Sequence, residues 1–286
     1  MTVPLIRASD LHSLLKKKDV VALDATALLP GETTDPEVRF ATARIPGARR
    51  FDIERFSDPD TSLPHMAPAA GRFARLAGEL GLTREQAIVV YDQGNIASSC
   101  RAWWLFRLFG HDRVQVLDGG LPAWREAGGD VESGATSPIT ATTYTPRLTV
   151  SYLRGLGDML SLCAVPDGTV ILDARSKGRF EGTAPEPRAG LSSGHMPGSR
   201  NLPFGELLDP TRHFLSPERL GARFAKTGAK PGTPLVAGCG SGMTASVLVV
   251  AATVAGLGPV SLYDGSWAEW AATAGAPIET DAETTP

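Results

Sequence analysis

The fold prediction starts from residues 235–250, LVAGCGSGMTASVLVV, which join a short apolar segment to a longer one through a glycine-containing loop. Residues 235–237 predict a buried strand, and the apolar, glycine-free run 245–255 predicts a buried helix. Strands that alternate with helices in this way form parallel sheets covered by helices. We therefore predict an α/β fold whose functional residues lie beyond the carboxyl ends of the strands.

The loop between this strand and helix reads Cys239-Gly240-Ser241-Gly242-Met243-Thr244. Its two glycines allow a tight turn in which successive N–H groups point inward, and the helix N-terminus behind them adds partial positive charge. Such a loop favours anions, including the thiolate form of a cysteine at its mouth. Cys239 is therefore a candidate nucleophile. The alternative is an ordinary buried cysteine at the end of a strand.

Length and composition limit the possible functions. The chain has 286 residues, 42% of them hydrophobic, and a net charge of -3, which indicates about two soluble domains. We find no basic stripe for nucleic acid and no apolar run long enough for a membrane span, and we expect a cytoplasmic protein. Cys100, Cys163 and Cys239 are too few and too widely spaced for a disulfide framework or a metal site. We expect no metal site, and one reactive thiol in a reducing compartment fits the three cysteines better.

An internal repeat divides the chain into two halves. VALDA at 21–25 matches VILDA at 170–174, ARIPGA at 43–48 matches GHMPGS at 194–199, and LDGGLPAW at 117–124 matches YDGSW at 263–267. Two tandem α/β domains are predicted, each a mainly parallel sheet with helices on both faces. The predicted ranges are a first domain at 1–130, a linker at 131–147, a second domain at 148–276 and a disordered tail at 277–286.

The repeat also provides an internal control for the candidate nucleophile. Aligning the halves places Asp92 where Cys239 stands, and residues 93–95 contain no thiol. Cys100 lies further along, inside the following predicted helix, where we expect it to serve packing. The first domain is therefore predicted to be a catalytically silent copy.

With the duplication, the cysteine loop and DGSW at 264–267, the chain resembles the two-domain rhodanese superfamily over nearly its whole length. Within it, CGSGMTA at 239–245 is similar to the loop of the 3-mercaptopyruvate sulfurtransferases, which usually have Val where this chain has Met243. The resemblance implies two rhodanese-like domains and sulfur transfer through a persulfide on Cys239, with release of pyruvate. The implied acceptors are cyanide, a small thiol or a thioredoxin-type protein, and no cofactor is implied.

The same resemblance extends to GRFEGT at 178–183 and PEPR at 185–188, which are similar to the family's substrate-binding segment. Arg179 and Arg188 suit a 2-keto carboxylate because a guanidinium offers a planar, permanently charged pair of donors. The alternative is two surface arginines paired with Glu181 or Glu186. The family also implies substrate contacts from the loop residues Gly240, Gly242, Met243 and Thr244.

In the mercaptopyruvate enzymes, a serine at the position of Ser241 is linked with a histidine and an acid from the first domain. His65 matches that histidine, and the acid falls on Glu54, where the family pattern has Asp and where Asp52 is close by in sequence. From the residues alone, Ser241 could shape the loop and His65 could be a surface histidine. His195, in GHMPG, is expected to anchor its loop through both ring nitrogens.

Three other functions compete with mercaptopyruvate sulfurtransfer. Thiosulfate:cyanide sulfurtransfer differs only in the donor, but positions 240–244 contain no basic residue to compensate a dianion. Phosphatase chemistry with a Cys-x5-Arg loop is disfavoured because the sixth residue after Cys239 is Ala245. A non-catalytic binding or sulfur-carrying module is disfavoured by Cys239 and the two arginines.

Overall fold

The computed structural model describes residues 3–17, 19–28 and 33–281, which divide into two compact units. The first unit comprises Met1–Asp60, Ala67–Val150 and Pro210–Phe214, and the second comprises Thr61–Met66, Ser151–Asp209 and Leu215–Pro286.

The described part of the first unit forms a five-stranded sheet with the order β1-β5-β4-β2-β3. Every strand pair in it is parallel, because a helical connection returns the chain to the same edge of the sheet between strands. In chain order its elements are β1 (Leu5–Ile6), α1 (Ala8–Lys17), β2 (Val20–Asp24), α2 (Pro36–Thr42), β3 (Arg49–Arg50), α3 (Ala70–Glu79), β4 (Ala87–Tyr91), α4 (Ile96–Leu108), β5 (Val114–Leu117) and α5 (Gly120–Glu126).

The second unit repeats this topology, with the strand order β6-β10-β9-β7-β8 and parallel pairs throughout its described residues. The predicted α/β fold of two domains with parallel sheets is thus confirmed. After a 3-10 helix (Val150–Tyr152) come β6 (Leu153–Arg154), α6 (Leu156–Ala164), β7 (Val170–Asp173), α7 (Lys177–Glu181), β8 (Arg200–Asn201), a second 3-10 helix (Phe204–Leu207), α8 (Pro217–Ala225), β9 (Leu235–Gly238), α9 (Ala245–Val254), β10 (Val260–Tyr263) and α10 (Ser266–Trp270).

The strand order of the second unit places the cysteine loop at the end of the central strand. Strand β9 is buried along its whole length between β10 and β7. Helix α9 is buried from residue 245 to 252, as expected for a helix that is apolar on all sides. The loop between β9 and α9 therefore lies at the carboxyl edge of the central strand. No helix among the described residues has the length and apolar character needed to cross a bilayer.

The segment predicted to be a linker, 131–147, is hydrogen-bonded to the first unit. Glu132 forms an antiparallel bridge with Arg44, and the N–H of Thr142 donates to the carbonyl of Gly78 at 2.9 Å. Composition indicated only irregular backbone here, because backbone hydrogen bonds of this kind leave no periodic pattern in the sequence.

The structure differs from the expectation of a disordered tail over residues 277–281. Glu279 forms an antiparallel bridge with His195, with N–H to carbonyl distances of 2.8 and 2.9 Å. The carbonyl of Pro277 accepts the indole N–H of Trp270 at 2.9 Å, and the N–H of Asp281 donates to the carbonyl of Glu181 at 3.1 Å. These backbone bonds order a polar segment that buries little apolar surface. The rest of the predicted tail, 282–286, lies outside the described residues.

Candidate active site

The cysteine loop is fixed between the central strand and the last helix of the second unit. Cys239 follows β9 directly, and only 3% of its surface is exposed. Its carbonyl accepts the N–H of Trp267 at 2.8 Å, and the carbonyl of Gly240 accepts that of Ala268 at 3.1 Å. The loop carbonyls thus face α10, which leaves the N–H groups for other partners.

Two of those N–H groups donate to one buried hydroxyl. Ser266 Oγ accepts the N–H of Cys239 at 3.2 Å and the N–H of Gly242 at 3.0 Å. The same hydroxyl donates to the carbonyl of Tyr263 at 2.9 Å, so it accepts two hydrogen bonds and donates one. Ser266 therefore joins both ends of the turn that follows the cysteine.

The remaining N–H groups of the loop are available to a ligand. Gly242 has a φ of +77°, the left-handed conformation that the predicted tight turn needs. Among the residues that the structure describes, the N–H groups of Gly240, Ser241, Met243 and Thr244 have no acceptor. Unpaired N–H groups on a loop that leads into a helix form an anion site. This loop can hold a sulfur anion on Cys239.

The structure brings both predicted arginines to this loop. A Cβ placed on Gly240 would lie 3.0 Å from Arg179 Nη2 and 3.6 Å from Arg188 Nη1. A larger residue at 240 would therefore push the guanidinium groups away. Sequence reasoning predicted Gly240 for its flexible backbone, whereas the structure shows that its missing side chain makes room for the arginines.

Arg179 is held by an acid rather than left free. Glu186, whose side chain is 1% exposed, accepts Nε of Arg179 at 3.0 Å and Nη2 at 2.5 Å. Its Oε1 also accepts Nη1 of Arg175 at 2.7 Å. The structure thus contains the ion pair with Glu186 that was the alternative to substrate binding, and it also places Arg179 beside the loop. Arg188 makes no hydrogen bond or ion pair with the described residues.

A third arginine, which sequence reasoning did not single out, shares the Glu186 carboxylate with Arg179. Arg175 is buried, binds both carboxylate oxygens of Asp173, and its Cζ lies 4.2 Å from the centre of the Trp267 ring. Burial lowers the pKa of Arg175, but the charges of Asp173 and Glu186 outweigh this effect and raise it. The signal for this network was present in the sequence, since Glu186 lies in PEPR and Trp267 in DGSW.

The predicted serine and histidine meet within the second unit, to which residues Thr61–Met66 belong. His65 Nδ1 lies 3.0 Å from Ser241 Oγ, and His65 has a φ of +60°, which is unusual for a residue other than glycine. The predicted acid, Glu54, belongs to the first unit, where its N–H donates to Oδ1 of Asp52. Its part in a relay stays a prediction.

His195 has the surroundings of a structural residue. Its Nδ1 lies 2.9 Å from the carbonyl of Phe180, and the two rings stack at 3.9 Å. Its Nε2 lies 3.7 Å from Oε2 of Glu279. Both ring nitrogens thus face protein groups, as expected for a loop anchor.

The counterpart loop of the first unit contains a buried acid. The Asp92 carboxylate accepts the N–H of Gly94 at 2.8 Å and the hydroxyl of Ser99 at 2.7 Å. Burial raises the pKa of Asp92, and it raises that of Cys100 well above its ordinary value. Cys100 is fully buried in α4, where it packs. Across the described ranges, no group of three His, Cys, Asp or Glu side chains could hold a metal ion.

The chain is similar in sequence and in fold to known sulfurtransferases. A family model described as Rhodanese-like domain matches residues 7–127 and 159–273. The mitochondrial thiosulfate/3-mercaptopyruvate sulfurtransferase 1 of Arabidopsis thaliana is 40% identical over 96% of this chain and 78% of its own length. The 3-mercaptopyruvate sulfurtransferase of Rattus norvegicus is 40% identical over 92% of this chain and 89% of its own. The crystal structure of SseA from Escherichia coli, described as a 3-mercaptopyruvate sulfotransferase with the rhodanese fold, matches with a TM-score of 0.83 and 32% identity, covering 93% of this chain and 99% of its own.

Proposed function

The chain belongs to the rhodanese family of sulfurtransferases, and from that premise we propose that it transfers sulfur from 3-mercaptopyruvate through a persulfide on Cys239. The observation that supports this most strongly is the position of Arg179 and Arg188 beside Gly240, next to the candidate nucleophile. These guanidinium groups would bind the carboxylate of a small acid and present its sulfur to Cys239.

The charges around the loop favour a donor with one negative charge. Glu186 compensates Arg179 and, together with Asp173, compensates Arg175. Arg188 is left as the basic group without an acidic partner among the described residues near the loop. A 2-keto acid monoanion needs one such charge, whereas thiosulfate brings two negative charges to a site of low dielectric.

The sulfur transfer proceeds by nucleophilic attack. The Cys239 thiolate attacks the sulfur of the donor, and the new S–S bond forms as the C–S bond breaks. The electron pair of that bond goes to the methylene carbon and gives the enolate of pyruvate, which becomes pyruvate when it takes up the proton of the donor thiol. Cys239 keeps the outer sulfur as a persulfide anion, which the unpaired loop N–H groups stabilise.

Ser241 and His65 would act on the keto group of the donor. A hydroxyl at 3.0 Å from a histidine nitrogen can donate to the keto oxygen while the imidazole orients it or shares its proton. Charge that develops on this oxygen as the C–S bond breaks would be stabilised by that donor. We include Glu54 as the third member of this relay on the basis of the family motif alone.

In the second half of the reaction, a thiol or cyanide attacks the outer sulfur and restores the Cys239 thiolate. A small thiol and a thioredoxin-type protein are the acceptors that we propose. We place the reaction in the cytoplasm, because Cys100, Cys163 and Cys239 are all free thiols, as a reducing compartment keeps them. The Arabidopsis relative is described as mitochondrial, so family members also work elsewhere.

Mass spectrometry of Cys239 after exposure to each donor tests this function. A mass increase of one sulfur atom on the Cys239 peptide is expected with 3-mercaptopyruvate, together with one pyruvate released per chain. The increase should disappear after cyanide is added and should be absent in Cys239→Ser. No sulfur on Cys239 with either donor would favour a binding module, and sulfur only from thiosulfate would transfer the proposal to that donor.

A further inference from the structure

Ser266 stands at a backbone position that suits glycine. Its φ is +51°, a left-handed backbone conformation that residues other than glycine adopt at an energetic cost. The residue is completely buried. The internal repeat aligns Asp264-Gly265-Ser266 with Asp118-Gly119-Gly120. Gly120 has a φ of +59°, so the first unit has the residue that this conformation prefers. Backbone conformation alone therefore does not explain why the second unit has a serine at this position.

The first unit satisfies the N–H groups of its counterpart loop from within the loop. The carboxyl group of Asp92, the residue that corresponds to Cys239, accepts the backbone N–H groups of Gly94 and Asn95. Counted from Asp92 and Cys239, Asn95 is the counterpart of Gly242. A Cβ on Gly120 would lie 2.5 Å from the carbonyl oxygen of Asp92 and 3.0 Å from its Oδ1. A side chain at 120 is therefore excluded chiefly by the backbone of residue 92, and the Asp92 carboxyl group crowds the same space.

A cysteine offers one side-chain acceptor atom where an aspartate offers two, and the sulfur of a nucleophile must stay open to the donor. In the second unit the acceptor comes instead from the other side of the loop, where the Ser266 hydroxyl takes the N–H groups of Cys239 and Gly242. The acceptor is therefore on the first residue of the loop in the first unit and on the first residue of the last helix in the second unit. This exchange leaves the side chain at 239 free for chemistry.

We propose that Ser266 is a positioning residue for sulfur transfer, whose hydroxyl shapes the cysteine loop so that its other N–H groups converge on the sulfur of Cys239. Ser266 does not touch the substrate in this arrangement and acts through the backbone. The proposal rests on the proposed function, because it assigns to Ser266 the stabilisation of the thiolate and persulfide. It makes Ser266 necessary for reactivity at 239 while adding strain to the folded backbone.

Two substitutions separate positioning from stability. Ser266→Gly removes the hydroxyl and relieves the left-handed strain, whereas Ser266→Ala removes the hydroxyl and keeps the strain. We expect both variants to lose kcat/KM about tenfold, the effect of one or two lost hydrogen bonds in a reacting loop. Ser266→Gly should remain more resistant to urea than Ser266→Ala. Equal loss of activity at unequal stability is the expected signature.

The second readout is alkylation of Cys239 by iodoacetamide as a function of pH, followed by mass spectrometry in a Cys163→Ser background. Both Ser266 variants should need a higher pH for half-maximal alkylation, because the thiolate is less well stabilised. Ser261→Ala is the matched control, since Ser261 is also buried and its hydroxyl donates to the carbonyl of Leu235 rather than accepting from the loop.

The outcomes distinguish this inference from the proposed function. Alkylation and kcat/KM within twofold of wild type in Ser266→Gly would overturn the positioning role, as would activity that follows urea resistance across the three serine variants. If the wild-type protein transfers no sulfur, the proposed function fails, but a pH shift of alkylation confined to the Ser266 variants would still support the positioning of Cys239.

Discussion

Glu186 binds Arg179 through two parallel hydrogen bonds, from Nε at 3.0 Å and from Nη2 at 2.5 Å, while its own carboxylate is buried. This pair fixes the guanidinium beside Gly240 and removes its net charge from the site. The acid therefore has two effects, since it orients a substrate-binding group and limits how much negative charge the site accepts.

Replacing Glu186 with Gln should change donor preference. The variant loses one negative charge near the loop and loosens Arg179, so binding of 3-mercaptopyruvate weakens while thiosulfate meets less repulsion. We expect the ratio of kcat/KM for 3-mercaptopyruvate to that for thiosulfate to fall about tenfold. The control is Glu206→Gln, which removes an exposed acid paired with Arg223. An unchanged ratio in Glu186→Gln would disprove the charge argument.

The contact between His65 and Ser241 predicts that the two residues act as one unit. Ser241→Ala and His65→Asn should each lower kcat about tenfold with 3-mercaptopyruvate. Asparagine is chosen because it tolerates the left-handed backbone at 65. The double variant should be about as active as either single variant, since residues in one hydrogen-bonded pair are not additive. Multiplicative losses would show that the 3.0 Å contact has no role in the reaction.

Residues 277–281 are predicted to stabilise the second unit. Truncation after Ala276 removes four hydrogen bonds. Two belong to the bridge with His195, one is donated by the Trp270 indole, and one is donated by the N–H of Asp281. We expect a loss of about 3 kcal/mol in the free energy of unfolding by urea. Truncation after Asp281 keeps every one of these bonds and is the control. If the two truncated chains unfold at the same urea concentration, the tail contributes nothing.

The buried ring of His111 should make the folded protein less stable in acid. Burial lowers its pKa from 6.5 to about 4, and its ring lies between the hydroxyl of Tyr144 and the carbonyl of Gln86. Between pH 6.5 and about 4 the imidazole of His111 is protonated in the unfolded chain but neutral in the folded chain. The free energy of unfolding is therefore undiminished above pH 6.5 and falls as the pH is lowered towards 4.

The size of this effect is about 3 kcal/mol, at roughly 1.4 kcal/mol per unit of pKa. Urea unfolding of wild type and His111→Gln across this range measures it, with His12→Gln as a control that leaves the buried ring in place. The stability of His111→Gln should depend less on pH than that of the wild type. A constant difference between the two proteins at every pH would contradict the prediction.

Sequence patterns predicted the strand and helix around the cysteine loop, the α/β class and the repeat, because apolar periodicity and turn residues are local signals. They also predicted Cys239, Arg179 and Arg188 as candidates, since glycines mark the loop and the family motifs contain the arginines. Ser266 was missed as a loop partner because a left-handed φ and a hydroxyl that accepts two N–H groups leave no mark in one sequence. The tail was misjudged for a similar reason, since polar composition does not reveal a backbone bridge to His195.

Steady-state sulfur transfer to cyanide, with 3-mercaptopyruvate and thiosulfate compared as donors and Cys239→Ala as the blank, tests the central claim most directly. We predict that kcat/KM for 3-mercaptopyruvate exceeds that for thiosulfate at least about tenfold, and that the blank is inactive with both donors. Activity retained in Cys239→Ala would contradict the persulfide, and equal or faster transfer from thiosulfate would contradict the assignment of the donor.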